Sequence, residues 1–201
     1  MKVSGSRTEP PDPPNPSMQR ARRSRPTDWI GAMNFTSLVL RPATQADLPA
    51  INDIYNYYVS RSTCTYQYEE STAEERQAWF AQHGTGHPVI VAESDDIVVG
   101  WGALSPFRER EAYRRTVENS IYVRHDLQRR GIGIRLLENL ILSATVCGHH
   151  VIMAVIDGEQ AGSIALHGRH GFEEVGRLCE VGFKFGRWLN VVYMERKVGK
   201  D

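Results

Sequence analysis

The stretch SIYVRHDLQRRGIGIRLLENLILSA, residues 120–144, constrains the fold more than any other part of this chain. It opens with alternating apolar residues and passes through a basic turn punctuated by Gly131 and Gly133. Ile132, Leu136, Leu137, Leu140, Ile141 and Ala144 then follow at helical spacing. A strand therefore feeds a glycine turn that starts an amphipathic helix. Such a turn presents backbone N–H groups at a helix N-terminus, and its small residues let anionic oxygens approach the backbone. Arg129 and Arg130 add positive charge. The turn predicts a pyrophosphate site, with a plain glycine turn and solvated arginines as the alternative for the hexamer taken alone. It is not a P-loop, because GxxxxGK[ST] is absent, nor a dinucleotide fingerprint, because Leu136 stands where a third glycine is required.

The same mixture of periods runs in both directions from this turn. LVLRPATQADLPAINDIYNYYV reads as a short strand, then Thr44 as N-cap with Asp47 three residues on, then a helix with Leu48, Ile51, Ile54 and Tyr55 on one face. A second helix is predicted over 72–82. VIVAES, IVVGWGALSP and RRTVENSIYV read as strands, as do HVIMAVI, EEVGRLCEVGFKF and NVVYMERKV, with a short helix from Ser163 to His170. Turn signals at Ser94–Asp96 and Pro106–Glu111 put neighbouring strands too close for a purely parallel sheet. The expected class is α/β (α+β), a mixed, mostly antiparallel sheet with helices on both faces.

Residues 1–35 differ in composition from the rest. EPPDPPNPSMQRARRSRP holds six of the ten prolines and almost no large apolar side chain, so this segment is expected to be disordered, with residues 36–201 forming one domain. The run RARRSR reads either as a phosphate- or partner-binding arm or as a solvated extension upstream of Met33; short basic runs are unspecific, which favours the second. At 201 residues and 41% hydrophobic composition, one well-filled core is the expectation. Zero formal charge gives no whole-molecule case for a nucleic-acid or membrane partner. No apolar run approaches the roughly 20 residues that span a bilayer, and the apolar region of a secretory signal is missing. Cys64, Cys147 and Cys179 are odd in number and far apart, which argues against a disulfide framework or a zinc site and predicts a reducing, cytoplasmic setting without a metal.

Four further segments bear on function: FREREAY at 107–113, TVENSIYV at 116–123, SIALHGRHGF at 163–172 and GFKFGRW at 182–188. With the Q-x-x-G-x-G turn, and in this order, they resemble the GCN5-related N-acetyltransferase (GNAT) superfamily, specifically its phosphinothricin and methionine sulfone N-acetyltransferase branch. The resemblance runs from about Leu38 to Lys197. It implies a GNAT fold and acetyl-CoA as co-substrate. Ile121, Tyr122 and Val123 would hydrogen-bond the pantetheine arm. Arg129, Arg130, Gly131, Ile132, Gly133 and Ile134 would hold the pyrophosphate. Glu118 matches the branch's general base, and the Val123 N–H would polarise the acetyl carbonyl. His167 stands where many relatives have a tyrosine; the resemblance implies a proton donor to the departing thiolate, and a buried structural histidine is the equal alternative.

For the acceptor, the resemblance implies Arg108 and Arg110 as carboxylate ligands, unless either pairs with Glu109 or Glu111 on the surface. Phe107, Tyr113 and Trp188 would form an apolar wall around a methyl-bearing acceptor side chain, with ordinary core positions as the alternative. Two positions depart from the pattern. Gln160 occupies the place of a cofactor-contacting asparagine, and Asn190 replaces the aspartate of a G-x-W-x-D run. The expected activity is direct acetyl transfer to the α-amine of a small amino acid analogue of the phosphinothricin, methionine sulfone or methionine sulfoximine type, by a homodimer. A protein or peptide N-acetyltransferase and a non-catalytic acyl-CoA sensor are the rivals.

Overall fold

Seven strands pair in the order β1-β2-β3-β4-β5-β7-β6, with only β4 and β5 parallel. These are β1 (Val39–Pro42), β2 (Val89–Ser94), β3 (Ile97–Pro106), β4 (Thr116–Val123), β5 (Val151–Asp157), β6 (Glu173–Lys184) and β7 (Arg187–Lys197). The helices are α1 (Leu48–Val59), α2 (Ala73–Ala81), α3 (Ile132–Val146) and α4 (Ala161–Arg169). The computed structural model describes residues 37–199; the expectation for residues 1–35 lies outside the described residues.

Strand alternation divides the core into two layers. Val89, Val91, Trp101 and Ala103 turn to one face, where they meet Leu48, Ile51, Ile54 and Tyr58 of α1 and Trp79 and Phe80 of α2. Ile90, Leu104, Val117 and Ile152 turn to the other, under Ile132, Leu136, Leu137 and Leu140 of α3 and beside Ile164 and Leu166 of α4. Helices thus cover both faces of a mixed sheet, as expected.

Two details differ from the sequence reading. The Thr44–Asp47 capping box forms, but it caps a 3-10 turn over Gln45–Asp47, and α1 begins only at Leu48 with Pro49 in its first turn. Asp47 is drawn into an ion pair, its two oxygens each 2.8 Å from the Arg41 guanidinium, and this holds its carboxyl down at about 2. On α1 the fourth buried position is Tyr58, with Tyr55 only half-buried. Tyr55 is instead a polar anchor, its hydroxyl donating to Gln67 Oε1 at 2.9 Å.

The feature that positions the site is where β4 leaves β5. Their pairing covers only Thr116, Val117 and Glu118 against Val151, Ile152 and Met153. Beyond Glu118 the strands splay.

Candidate active site

The splay opens a cavity of about 780 Å³ lined by Glu118 to Val123 of β4, the turn into α3, the end of β5 and one side of α4. The β3–β4 ladder fixes which backbone groups face it. Phe107 N–H bonds Thr116 O at 3.3 Å and Arg124 N–H bonds Val99 O at 2.9 Å, so the even-numbered residues of β4 are committed to β3. Asn119, Ile121 and Val123 therefore turn their N–H and C=O groups to the edge that β5 has vacated. Tyr122, grouped with them in sequence, gives its backbone to β3 and its side chain to the cavity wall. Val123 O accepts from Tyr58 Oη at 2.6 Å, and that hydroxyl accepts from Gln128 Nε2 at 2.6 Å. One tyrosine of α1 thereby ties the end of β4 to the glycine turn.

The turn has the conformation its glycines allow. Gly131 has φ +83° at the N-cap of α3, a left-handed geometry that a side chain would strain, and Arg129 already has φ +62°. The first intrahelical bond runs from Arg135 N–H to Gly131 O, which leaves the N–H groups of Ile132, Gly133 and Ile134 without intrahelical partners. Three N–H groups converging at the positive end of a 15-residue helix suit a pyrophosphate. With the vacated β4 edge, the site offers an amide-bonding track that leads to an anion cradle, the donor set that acetyl-CoA requires.

Glu118 lies at the head of this track, where pairing with β5 ends. Its carboxylate makes no hydrogen bond among the described residues, and burial pushes its pKa above the ordinary carboxylate value while the Arg108 charge pulls it back. A carboxylate so placed is available to take a proton. His167, 4% exposed, is differently occupied. Its Nδ1 lies 2.8 Å from Ser163 O, a pure acceptor, so Nδ1 carries the hydrogen and Nε2 accepts from Asn119 Nδ2 at 2.9 Å. Burial lowers its pKa, which favours this neutral form. Both ring nitrogens are engaged within the protein. Replacing His167 by alanine is expected to orphan the Asn119 amide and cost about 1–3 kcal/mol of stability, read as a lowered melting temperature with turnover retained below it. A collapse of kcat at unchanged melting temperature would instead make the histidine catalytic.

A family model for the acetyltransferase (GNAT) domain matches residues 40–192. The chain belongs to the GNAT acetyltransferase family. It is 42% identical over 161 residues to an L-methionine sulfoximine/L-methionine sulfone acetyltransferase of Pseudomonas paraeruginosa, covering 79% of this chain and 94% of that one. A phosphinothricin acetyltransferase from Sinorhizobium meliloti, solved in complex with acetyl-CoA, superposes with a TM-score of 0.78 at 39% identity, over 81% of this chain and 89% of that chain. A ribosomal-protein-alanine N-acetyltransferase from Brucella melitensis gives a TM-score of 0.77 at 41% identity, over 79% of this chain and 99% of that chain.

Within this GNAT domain the two departures find physical roles. Asn190 Oδ1 accepts from Glu180 N–H at 2.8 Å inside the β6 bulge, so the amide supplies the acceptor a carboxylate would, without the charge. Gln160 Nε2 contacts Thr63 Oγ1 at 3.3 Å and lines the cavity. Thr63 in turn donates to Asp157 Oδ1 at 2.9 Å, and Tyr66 Oη donates to Asp157 Oδ2 at 2.9 Å. Asp157 is 5% exposed and has no cationic partner among the described residues; three hydrogen bonds, the last from Glu159 N–H, hold it. Lys184, also buried, donates to Ser62 O and Thr65 O at 2.9 and 2.7 Å. Together Asp157 and Lys184 pin the 62–66 loop over the cavity. Sequence reading missed both; the only signal was a charge at the end of the apolar strand β5 and a lysine between Phe183 and Phe185 at the end of β6.

The four acceptor candidates of the β3–β4 connection line neither this cavity nor the smaller one described below. Phe107 and Tyr113 pack edge to face at 5.9 Å, and Arg108 lies 4.9 Å over the Phe107 ring. Arg108 and Arg110 are both exposed. The Arg108 charge nonetheless reaches Glu118, whose pKa it lowers. Trp188, 62% exposed, packs on Phe183 of β6 at 5.0 Å rather than on Phe107 or Tyr113.

Proposed function

We propose that this GNAT acetyltransferase transfers the acetyl group of acetyl-CoA directly to the α-amine of a small amino acid analogue, of the methionine sulfone, methionine sulfoximine or phosphinothricin type. The observation that carries this is Glu118, an unpartnered, half-buried carboxylate at the head of the free β4 edge. The names of relatives at about 40% identity support the acceptor class. Ile121 and Val123 offer backbone groups to the pantetheine arm, and Ile132, Gly133 and Ile134 offer N–H groups to the pyrophosphate. Bound there, acetyl-CoA supplies an activated thioester. Glu118 takes the proton that the acceptor's ammonium must lose, because only the neutral amine has a lone pair. The Val123 N–H is the donor available to the acetyl oxygen. As the amine nitrogen bonds the acetyl carbon the carbon–sulfur bond breaks, and the CoA thiolate so released takes up a proton from solvent, while His167 acts by holding Asn119. Arg108 and Arg110 hold the acceptor's carboxylate.

The enzyme acts as a homodimer. Support comes from the exposed apolar side chains Val175, Leu178, Val181, Phe183, Phe185 and Trp188, along β6, its turn and the start of β7. Three free cysteines, and no helix among the described residues long and apolar enough to cross a membrane, are consistent with work in the cytoplasm.

The likeness to a ribosomal-protein-alanine N-acetyltransferase favours a peptide acceptor as the second reading. Mass spectrometry of products from L-methionine sulfone, L-phosphinothricin and an alanine-ended peptide separates the two. Acetylation of the free amino acids alone is expected; acetylation of the peptide alone overturns the proposal.

Arg108 gives a pH test. Its charge lowers the Glu118 pKa, so Arg108→Ala raises it further. The base is active only when ionised, so the acid limb of kcat/KM moves to higher pH in the variant. Because Arg108 is exposed, the displacement shrinks with added salt. A limb that stays in place contradicts the coupling.

A further inference from the structure

Arg76 of α2 is 5% exposed. Its guanidinium stacks on Tyr55 and Trp79, 4.6 and 4.8 Å from their ring centroids, and lies 5.9 Å from that of Trp101. Its Nε–H donates to Asn52 Oδ1 at 3.0 Å. The two terminal amino groups have no hydrogen-bond partner and no carboxylate at ion-pair distance among the described residues. Burying a cation with most of its donors unmatched is costly. Arg76 lines a second cavity of about 410 Å³. Trp101 lines it too, and its indole N–H is one of two fully buried polar side-chain atoms without a partner among the described residues.

This second cavity adjoins the acetyl-transfer cleft. Ser120 and Tyr122 line both. They share a face of β4 with Glu118, Ser120 being two residues along and so about 6.6–7 Å away. An amine at Glu118 with a two-methylene spacer puts its side-chain head at this cavity. Glu75 lines the exposed side, so charge there is nearly balanced, and a polar head without net charge fits better than an anion.

We propose that the Arg76 cavity is the subsite for the acceptor's side-chain head and selects a methylsulfonyl-type group. Arg76 donates to the sulfonyl oxygens, and the rings of Tyr55 and Trp79 contact the methyl group. The inference deepens the acceptor reading above and rests on it. It makes Arg76 a specificity-determining residue, distinct from the ligands of the α-carboxylate.

The experiment compares kcat/KM for L-methionine sulfone and L-methionine, which differ only in the two oxygens, in wild type, Arg76→Met and Arg76→Lys. Wild type is expected to prefer the sulfone by about 100-fold or more, since a site built to hydrogen-bond discriminates strongly against an analogue that leaves its donors unmatched. Arg76→Met should reduce that preference at least tenfold, chiefly through KM, with the methionine value little changed and Arg76→Lys intermediate. An equal loss on both acceptors gives Arg76 a structural role only and overturns the proposal. Quenching of tryptophan fluorescence by L-methionine sulfone, measured without turnover, keeps the two readings apart. If wild type acetylates no amino acid, the function reading fails, and the subsite stands only if the sulfone quenches, methionine does not, and Arg76→Lys weakens the effect. If the sulfone does not quench wild type, the subsite is wrong.

Discussion

Glu118→Gln is expected to lower kcat/KM about 10²–10⁴-fold at neutral pH, the range for loss of a positioned general base. Glutamine keeps the shape and the hydrogen-bonding end but cannot take a proton. Glu118 contributes no backbone group to the free β4 edge, since it is an even-numbered residue committed to β3 opposite Ser105. Acetyl-CoA affinity, measured by calorimetry, is therefore expected to survive the change, as is the melting temperature. The pH profile is the sharper reading. Burial raises the Glu118 pKa, so wild-type activity climbs as pH rises through that value and is lost below it. In Glu118→Gln this acid limb disappears. A variant that retains wild-type kcat/KM, or loses it only together with acetyl-CoA binding, would remove Glu118 from the proton-transfer role.

Gly182→Ala is expected to cost about 2–5 kcal/mol, combining overpacking with the lost hydrogen bond of a buried carboxylate. A Cβ at Gly182 would lie 2.3 Å from Tyr66 Cε2 and 2.7 Å from Tyr66 Cδ2. The ring occupies the space where a side chain at Gly182 would stand. Expelling it breaks the bond from Tyr66 Oη to Asp157 and leaves that buried carboxylate with only Thr63 and Glu159 N–H. The melting temperature should fall by roughly 5–15 °C for a domain of this size. Tyr66 also lines the main cavity, so acetyl-CoA binding should weaken in the same variant. Tyr66→Phe, which keeps the ring and loses the hydroxyl, separates the terms and should cost only the hydrogen-bond part. An unchanged melting temperature in Gly182→Ala would mean that the loop yields freely and does not shape the cleft.

The parts of the molecule legible in the sequence are those set by local period and local turn chemistry. The strand–turn–helix at 120–144 forms as read, because alternation, Gly131 and the apolar stripe of α3 all act within a few residues of one another. The Thr72 cap and the two central hairpins are of the same kind. The splay of β4 from β5 has no local signature, and it decides which amides of a regular-looking strand are free. The Asn119–His167 pair spans 48 residues, and the link from Thr63 to Asp157 spans 94. Arg76 sits in AEERQAWF, a run that reads as a solvated helix surface; its burial follows from aromatic side chains on α1 and β3 that stack on it. Lys184 shares the inward face of β6 with Gly182, and only the carbonyls of a distant loop make a cation acceptable there. In each case the missing information is a long-range partner.

Family membership rests on the whole domain; the proposed transfer requires one cleft to hold both reactants with Glu118 as the proton acceptor. Initial rates of thiol release, measured over a matrix of acetyl-CoA and L-methionine sulfone concentrations, test this most directly. Intersecting double-reciprocal lines are the predicted result, the pattern of direct transfer within a ternary complex. Parallel lines, which require an acetylated enzyme, or no thiol release at any concentration, would contradict it.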